Sequence, residues 1–423
     1  MIHRPRNSPI LHSFRRLTAL LLALGLCLSA SGYAQTPEIP VGKPSFEKWL
    51  SAVAEEAKIR GLDEVVVGNA LKGIEPISRI IELDRRQPEF TQTFWAYIDG
   101  RVSETRLKKG RELLRKHKTL MTRIENTHGV QGRFLVAFWG LETNFGQFLG
   151  GFPVIDALAT LAYDDRRSDF FRAELFDALQ ILEDGHIDRE SMVGSWAGAM
   201  GQPQFMPSTF ARYAIDEDGN GQKNIWSSLP DVFGSAANYL SRLGWDNRYT
   251  WGREVSLPKG FDLDLAELKT KKALSEWQDI GVRRVDGRDL PVADITGSVV
   301  VPAGHRGPAF LVYQNFEAIL NWNRSLLYAI SVGHLADRLV GLGPMQSARH
   351  QERPLTREQV TVLQEHLNRL GHDAGVPDGQ AGPQTRGAVK AFQKAAGLPA
   401  DGYPDGSVFE ALSSAVEPRE SNP

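Results

Sequence analysis

At 423 residues, 42% of them hydrophobic, with one cysteine, the chain can bury a large apolar core but cannot staple it with disulfides. Its 49 basic and 51 acidic residues leave a formal charge of −2, with nothing of the clearly basic balance that would suggest a nucleic-acid partner.

Arg4, Arg6, Arg15 and Arg16 precede the apolar run LTALLLALGLCLSA and the small-residue stretch SGYA. A basic start, an apolar run short of the ~20 residues that span a bilayer, and small residues at a cleavage point predict a signal peptide over 1–34. Cys27 follows the bulky Leu26, where a lipidated cysteine wants a small neighbour, so the residues argue against a lipid anchor. Cleavage after Ala34 leaves 45 basic against 51 acidic residues, a net charge of −6. No later stretch is apolar for long enough to predict a transmembrane helix.

From 45 to 243 the periodicity is helical. SFEKWLSAVAEEAKIRGL, DFFRAELFDALQILEDGHI and DVFGSAANYLSRLGW each repeat apolar residues at helical spacing, and Asp231 suits the start of the last. Between about 253 and 311 the texture changes to β-branched runs broken by Gly and Pro, which predicts short strands inserted in a mainly α domain, 35–345. FEAILNWNRSLLYAISVGHLADRLVG reads as helix again. A polar linker, 346–353, leads to a compact three-helix module over 354–415, in which two Asp-Gly turn-plus-helix stretches form a degenerate repeat. The tail, 416–423, has the composition of a disordered end.

Within FWGLETNFGQ one acid, Glu142, closes an otherwise apolar helix. Such a carboxyl loses solvation when ionised, which predicts a raised pKa and a capacity for general acid catalysis; a helix-end glutamate reaching water or pairing with an arginine is the structural alternative. Asn144 and Gly146 should end the helix at the lip of a cleft. GSWAGAMGQPQFMPSTFARYA adds a loop in which small residues admit a ligand, while Ser195 and Gln204 offer neutral hydrogen bonds suited to sugars or amides. Packed as a tight buried loop, the same run would be purely structural.

FWGLETNFGQFLGGFPVIDALATLAYDDRRSDFFRAEL, SWAGAMGQPQFMPSTFARYAIDEDGNG and DVFGSAANYLSRLGW, in that order, resemble the lytic murein transglycosylases of the B type, over about 45–342. The resemblance implies a lysozyme-like domain in a periplasmic enzyme that cleaves the β-1,4 bond between N-acetylmuramic acid and N-acetylglucosamine in peptidoglycan, leaving a 1,6-anhydromuramyl end. It places Glu142 at the family's single catalytic acid and Ser195, Gln204, Tyr239 and Asn323 at sugar-contacting positions. Trp322 stands where relatives often carry tyrosine. Arg166 and Arg167 would line the peptide side of the cleft, and Tyr97 is a further groove candidate. Asp156, Asp164 and Asp165 read as turn or helix-start residues rather than as a second catalytic carboxylate. A muramidase using water on the same bond, or a non-catalytic wall-binding protein, are the alternatives; no histidine cluster supports a metal-dependent amidase.

Asp216, Asp218 and Asn220 have the one-three-five spacing of a calcium loop, with Gly221 at the sharp turn and Gln222 offering its carbonyl. Position twelve is Ser227 rather than glutamate, so Asp231 would have to close the site, and weak binding of a structural Ca²⁺ is expected. The chemistry itself needs no cofactor. LTREQVTVLQEHLNRLGH and VPDGQAGPQTRGAVKAFQKAAGLPADG resemble the small peptidoglycan-binding domain of wall enzymes, which implies an anchor to glycan strands.

Overall fold

The computed structural model describes residues 42–85 and 92–416; the expected signal peptide with Cys27, and the tail from 417, lie outside them. Seventeen α-helices are present among the described residues. The first six are α1 (Phe46–Ile59), α2 (Glu64–Leu71), α3 (Ser78–Arg85), α4 (Phe94–Arg101), α5 (Glu104–Lys116) and α6 (Lys118–His128). Then come α7 (Gly132–Thr143), α8 (Val154–Tyr163), α9 (Ser168–Glu183), α10 (Pro207–Tyr213) and α11 (Leu229–Arg242). Beyond them lie α12 (Leu274–Asp279), α13 (Gln314–Trp322), α14 (Leu326–Leu339), α15 (Arg357–Arg369), α16 (Pro383–Ala395) and α17 (Gly406–Val416). Side-chain caps explain many starts: Ser45, Asp63, Thr93, Ser103, Ser228 and Ser325 each accept from a backbone N–H in the first turn.

Helix α7 is apolar all round and accordingly buried, with Phe134, Phe138 and Trp139 in a core shared with Ala329, Val332 and Leu335 of α14. Asn144 (φ 50°) and Phe145 (φ 63°) are both left-handed, so the chain turns away abruptly while the Phe145 ring folds back onto the helix. A Cβ on Gly140 would lie 2.7 Å from that ring. Gly140→Ala is therefore expected to cost about 1–3 kcal/mol by overpacking, read as a lowered urea midpoint; an unchanged midpoint would show that the ring has room to move.

A second core surrounds α8 and α9. The strand-rich insertion forms a five-stranded antiparallel sheet in the order β4-β6-β7-β3-β5, counting β3 (Gly252–Ser256), β4 (Lys272–Ala273), β5 (Arg283–Arg284), β6 (Thr296–Val300) and β7 (Ala309–Val312). It also contains α12, whose Trp277 fills the sheet's own core. The run expected as one helix over 316–341 is broken: Asn323 is extended, its Oδ1 accepts from Ser325 N, and Ser325 Oγ then caps α14. Asn and Ser compete for backbone donors in this way, which periodicity does not register.

Buried in α14, His334 is 9% exposed, and desolvation, with Arg338 adding repulsion, holds its pKa down to about 4. The folded value lies below the ordinary 6.5, so the unfolded chain takes up the proton first and stability is lost as pH falls through that window. Relative to His334→Asn, the protein should lose about 2 kcal/mol more between pH 7 and 5 in urea denaturation. Parallel pH dependences would contradict this.

Helices α15 to α17 pack around Val360, Leu363, Val389, Phe392 and Leu412. The expected repeat has a structural counterpart. Gln364 donates to Asp378 and accepts from Gly379 N, and Gln393 does the same with Asp401 and Gly402. The linker is pinned rather than slack: Glu254 accepts from Gln346 N and Ser347 N, Arg349 pairs with Asp99, and Glu352 accepts from Phe94 N and Trp95 N. His305 and Arg306 of the insertion pair with Asp401 and Asp405, and Lys390 and Lys394 with Glu267 and Asp264. The described residues from Ser45 on thus form one compact unit.

Candidate active site

Glu142 stands on the last turn of α7, half-buried, where the left-handed Asn144 ends the helix. Two donors converge on one of its oxygens: Trp322 Nε1 lies 3.0 Å from Oε1, and the Tyr328 hydroxyl makes a short hydrogen bond to the same atom. The break between α13 and α14 makes this possible, placing Trp322 at the end of one helix and Tyr328 at the start of the next. Burial, and next the Glu142 carboxylate, push the Tyr328 phenol well above its ordinary pKa, so it remains a donor.

Trp322 stacks on Phe138 with centroids 4.3 Å apart and meets Tyr239 and Phe205 edge-on or tilted at 5.2 and 5.3 Å. These rings make an aromatic wall beside the carboxyl. Tyr239 OH donates to the Asn321 carbonyl at 3.0 Å, fixing its ring.

The two-stranded pair β1 (Phe152–Pro153) and β2 (Val193–Gly194) ties the segment after Glu142 to the loop containing Ser195. Contact is so close that a Cβ on Gly150 (φ 105°) would lie 1.9 Å from Gly194 O. Ser195 Oγ accepts from Ala197 N and Ala199 N. Gln204, itself at φ 52°, uses its amide N–H groups on Leu149 O and Gly201 O, and its Oε1 has no partner among the described residues. Both residues shape the loop, whatever else they touch. Asn323 uses Oδ1 on Ser325 N.

Three expected positions differ. Tyr97 is only 4% exposed and is an electrostatic neighbour of Tyr328, so it backs the site instead of lining an open groove. Arg166 and Arg167 both pair with Asp84, whose carboxylate is 1% exposed; their charges offset a buried acid that would otherwise be costly. Asp156 and Asp164 pair with Arg189 and Arg85. Two contributors escaped the sequence reading. Tyr328 lay hidden inside an apolar helical run. Gln202, buried, accepts from Trp139 Nε1 at 2.6 Å and donates to Trp226 O, clamping α7 to the loop; its place in the GQPQ run was the available signal.

Asp216, Asp218 and Asp231 converge, with one oxygen of each within 4.8 Å of the others. Asp216 accepts from the N–H groups of Gly219, Asn220 and Gly221, which lower its pKa. Asp231 is fully buried, accepts from Glu217, Asp218 and Asn224 N–H, and is pushed up by desolvation. Three converging carboxylates, one of them buried, fit a hard cation held by oxygens at ~2.3–2.6 Å. Asn220 Oδ1 accepts from Gln222 N, and Gln222 Nε2 reaches Gly185 O.

A carboxyl presented by a helix end between two donors and an aromatic wall, on a mainly helical domain, is an arrangement suited to general acid chemistry on a ring-bearing substrate. Residues 45–337 match the transglycosylase SLT domain family, and residues 356–412 a putative peptidoglycan binding domain. The chain belongs to this transglycosylase SLT domain family and has its lysozyme-like fold. It is similar to the membrane-bound lytic murein transglycosylase B of Escherichia coli strain K12, 30% identical over 247 residues, which cover 55% of this chain and 64%, under two thirds, of that relative. The crystal structure of SltB3 from Pseudomonas aeruginosa in complex with NAG-anhNAM-pentapeptide is 44% identical with a TM-score of 0.83, covering 87% of this chain and 99% of that one. That of Escherichia coli Slt35 in complex with calcium is 25% identical with a TM-score of 0.61, covering 70% and 93%. No helix among the described residues is long and apolar enough to cross a membrane.

Proposed function

We propose that the protein cleaves the β-1,4 bond between N-acetylmuramic acid and N-acetylglucosamine in peptidoglycan and closes the muramic end as a 1,6-anhydro sugar. The observation that carries this reading is the setting of Glu142. Trp322 and Tyr328 both donate to Oε1, which fixes a carboxyl able to carry a transferable proton beside the aromatic wall. Protonated Glu142 gives that proton to the departing glycosidic oxygen. The resulting carboxylate, held by its two donors, then removes the C6 hydroxyl proton as that oxygen attacks C1. An acceptor in the same sugar is favoured over water by proximity, so no second carboxylate is required. The ion pairs of Asp156 and Asp164 agree with this.

Tyr239 and Trp322 offer aromatic faces for sugar rings, and the Gln204 Oε1, Asn323 and Ser195 groups hydrogen-bond donors and acceptors for hydroxyl and acetamido groups. The complex of SltB3 with an anhydromuramyl product supports this substrate. The C-terminal module anchors the enzyme to the wall, and the basic and apolar residues of 1–34 direct export to the periplasm. Asp216, Asp218 and Asp231 hold a structural Ca²⁺, as the calcium complex of Slt35 suggests; with its ligands on the α11 side, it would fix the loop that carries the chain into that helix.

Mass spectrometry of muropeptides released from purified sacculi tests the reading. Products lighter by one water than their reducing counterparts are expected. Reducing-end products would establish a muramidase instead, and binding without release would establish a non-catalytic wall-binding protein.

A further inference from the structure

A cavity of about 300 Å³ lies between β3, the C-terminal half of α14 and residues 342–346, and it shares no lining residue with the Glu142 site. Its charges are unevenly matched. Asp337 is held by Arg133 at 3.1 Å and by Trp251 Nε1 at 2.9 Å. Glu254 is occupied by two backbone N–H groups, and Asp286 lies between Arg284 and Arg288. Arg253 is different. Its Nε donates to Tyr313 OH at 2.6 Å, and it has no ion pair among the described residues. Beside it His334, more than nine-tenths buried, lines the cavity with neither ring nitrogen hydrogen-bonded to a described residue.

Arg253, whose charge is matched among the described residues only by the field of nearby Asp337, and the His334 ring both present donors to this one cavity, where a bound anion could take them up together. Leu342 and Met345 supply an apolar wall next to them. We propose that this cavity binds a carboxylate carrying a short apolar tail, with Arg253 and the His334 ring N–H taking the carboxylate. A peptide C-terminus and a free small organic acid share this chemistry. Burial keeps the imidazole neutral, so it offers one donor without adding a second positive charge.

Isothermal titration of the full chain with N-acetyl-dialanine, its C-terminal amide and propionate tests the site. The dialanine acid is expected to bind and the amide to bind at least about tenfold more weakly. Arg253→Gln should weaken the acid by about tenfold or more, whereas Arg284→Gln, whose charge Asp286 already matches, should change it by under about threefold. In the unmodified protein the His334 ring resonances should shift on adding the acid, a readout that does not depend on any variant folding. Propionate binding as tightly as the peptide would assign the site to small organic acids, and preference for the peptide would assign it to C-termini. Equal binding of acid and amide, no binding of either, or an unmoved His334 resonance would overturn the proposal.

Discussion

Glu142→Gln should reduce release of anhydromuropeptides from sacculi by about a thousandfold or more while leaving the melting temperature and sacculus binding unchanged. The amide oxygen can still accept from Trp322 Nε1 and the Tyr328 hydroxyl, so the hydrogen bonds that hold the side chain survive. What disappears is the transferable proton, and with it both halves of the proposed proton cycle. Activity within about tenfold of the unmodified enzyme would sink the assignment. Tyr328→Phe makes a graded companion. It removes one donor to the carboxylate and should lower turnover by about tenfold to a hundredfold, the range expected for a hydrogen bond to a charged group.

Asp231→Ala should be the most destabilising change in the loop, by about 3–5 kcal/mol in urea unfolding. Its carboxylate accepts from Glu217, Asp218 and Asn224 N–H groups at 2.8, 3.3 and 2.8 Å, and alanine would leave all three without an acceptor. The converging acids give this prediction a second arm. With Ca²⁺ at a hundred times its dissociation constant, the unmodified protein should gain about 2.7 kcal/mol. Asp218→Asn, at an exposed position, should keep the fold in the absence of Ca²⁺ but lose most of that gain. If millimolar Ca²⁺, the range of weak sites, leaves the unfolding midpoint of the unmodified protein in place, the loop holds no such ion.

Helix existence was legible wherever one face alternated with solvent, as in α1, α9 and α11, because burial of a single stripe writes a 3.6-residue period into the chain. The repeat of Asp-Gly turns in the C-terminal module was legible too, since each turn needs a residue free to adopt positive φ, and Gly379 and Gly402 supply it. Glu142 stood out for the converse reason: one acid at the end of an apolar run is conspicuous.

What surrounds that acid was decided only in three dimensions. Tyr328 lies 186 residues away in sequence, within a run whose periodicity conceals the helix break at Asn323. Arg166 and Arg167, which the resemblance places on the peptide side of the cleft, have their charges turned onto Asp84 of α3. Tyr97 is carried behind the site by the packing of its helix. Local sequence determined which segments are helical and singled out the acid proposed to deliver a proton. Tertiary structure decided which donors meet that residue and which charges are already matched, because hydrogen bonds and desolvation act through distance in space, and neither writes a period into the chain.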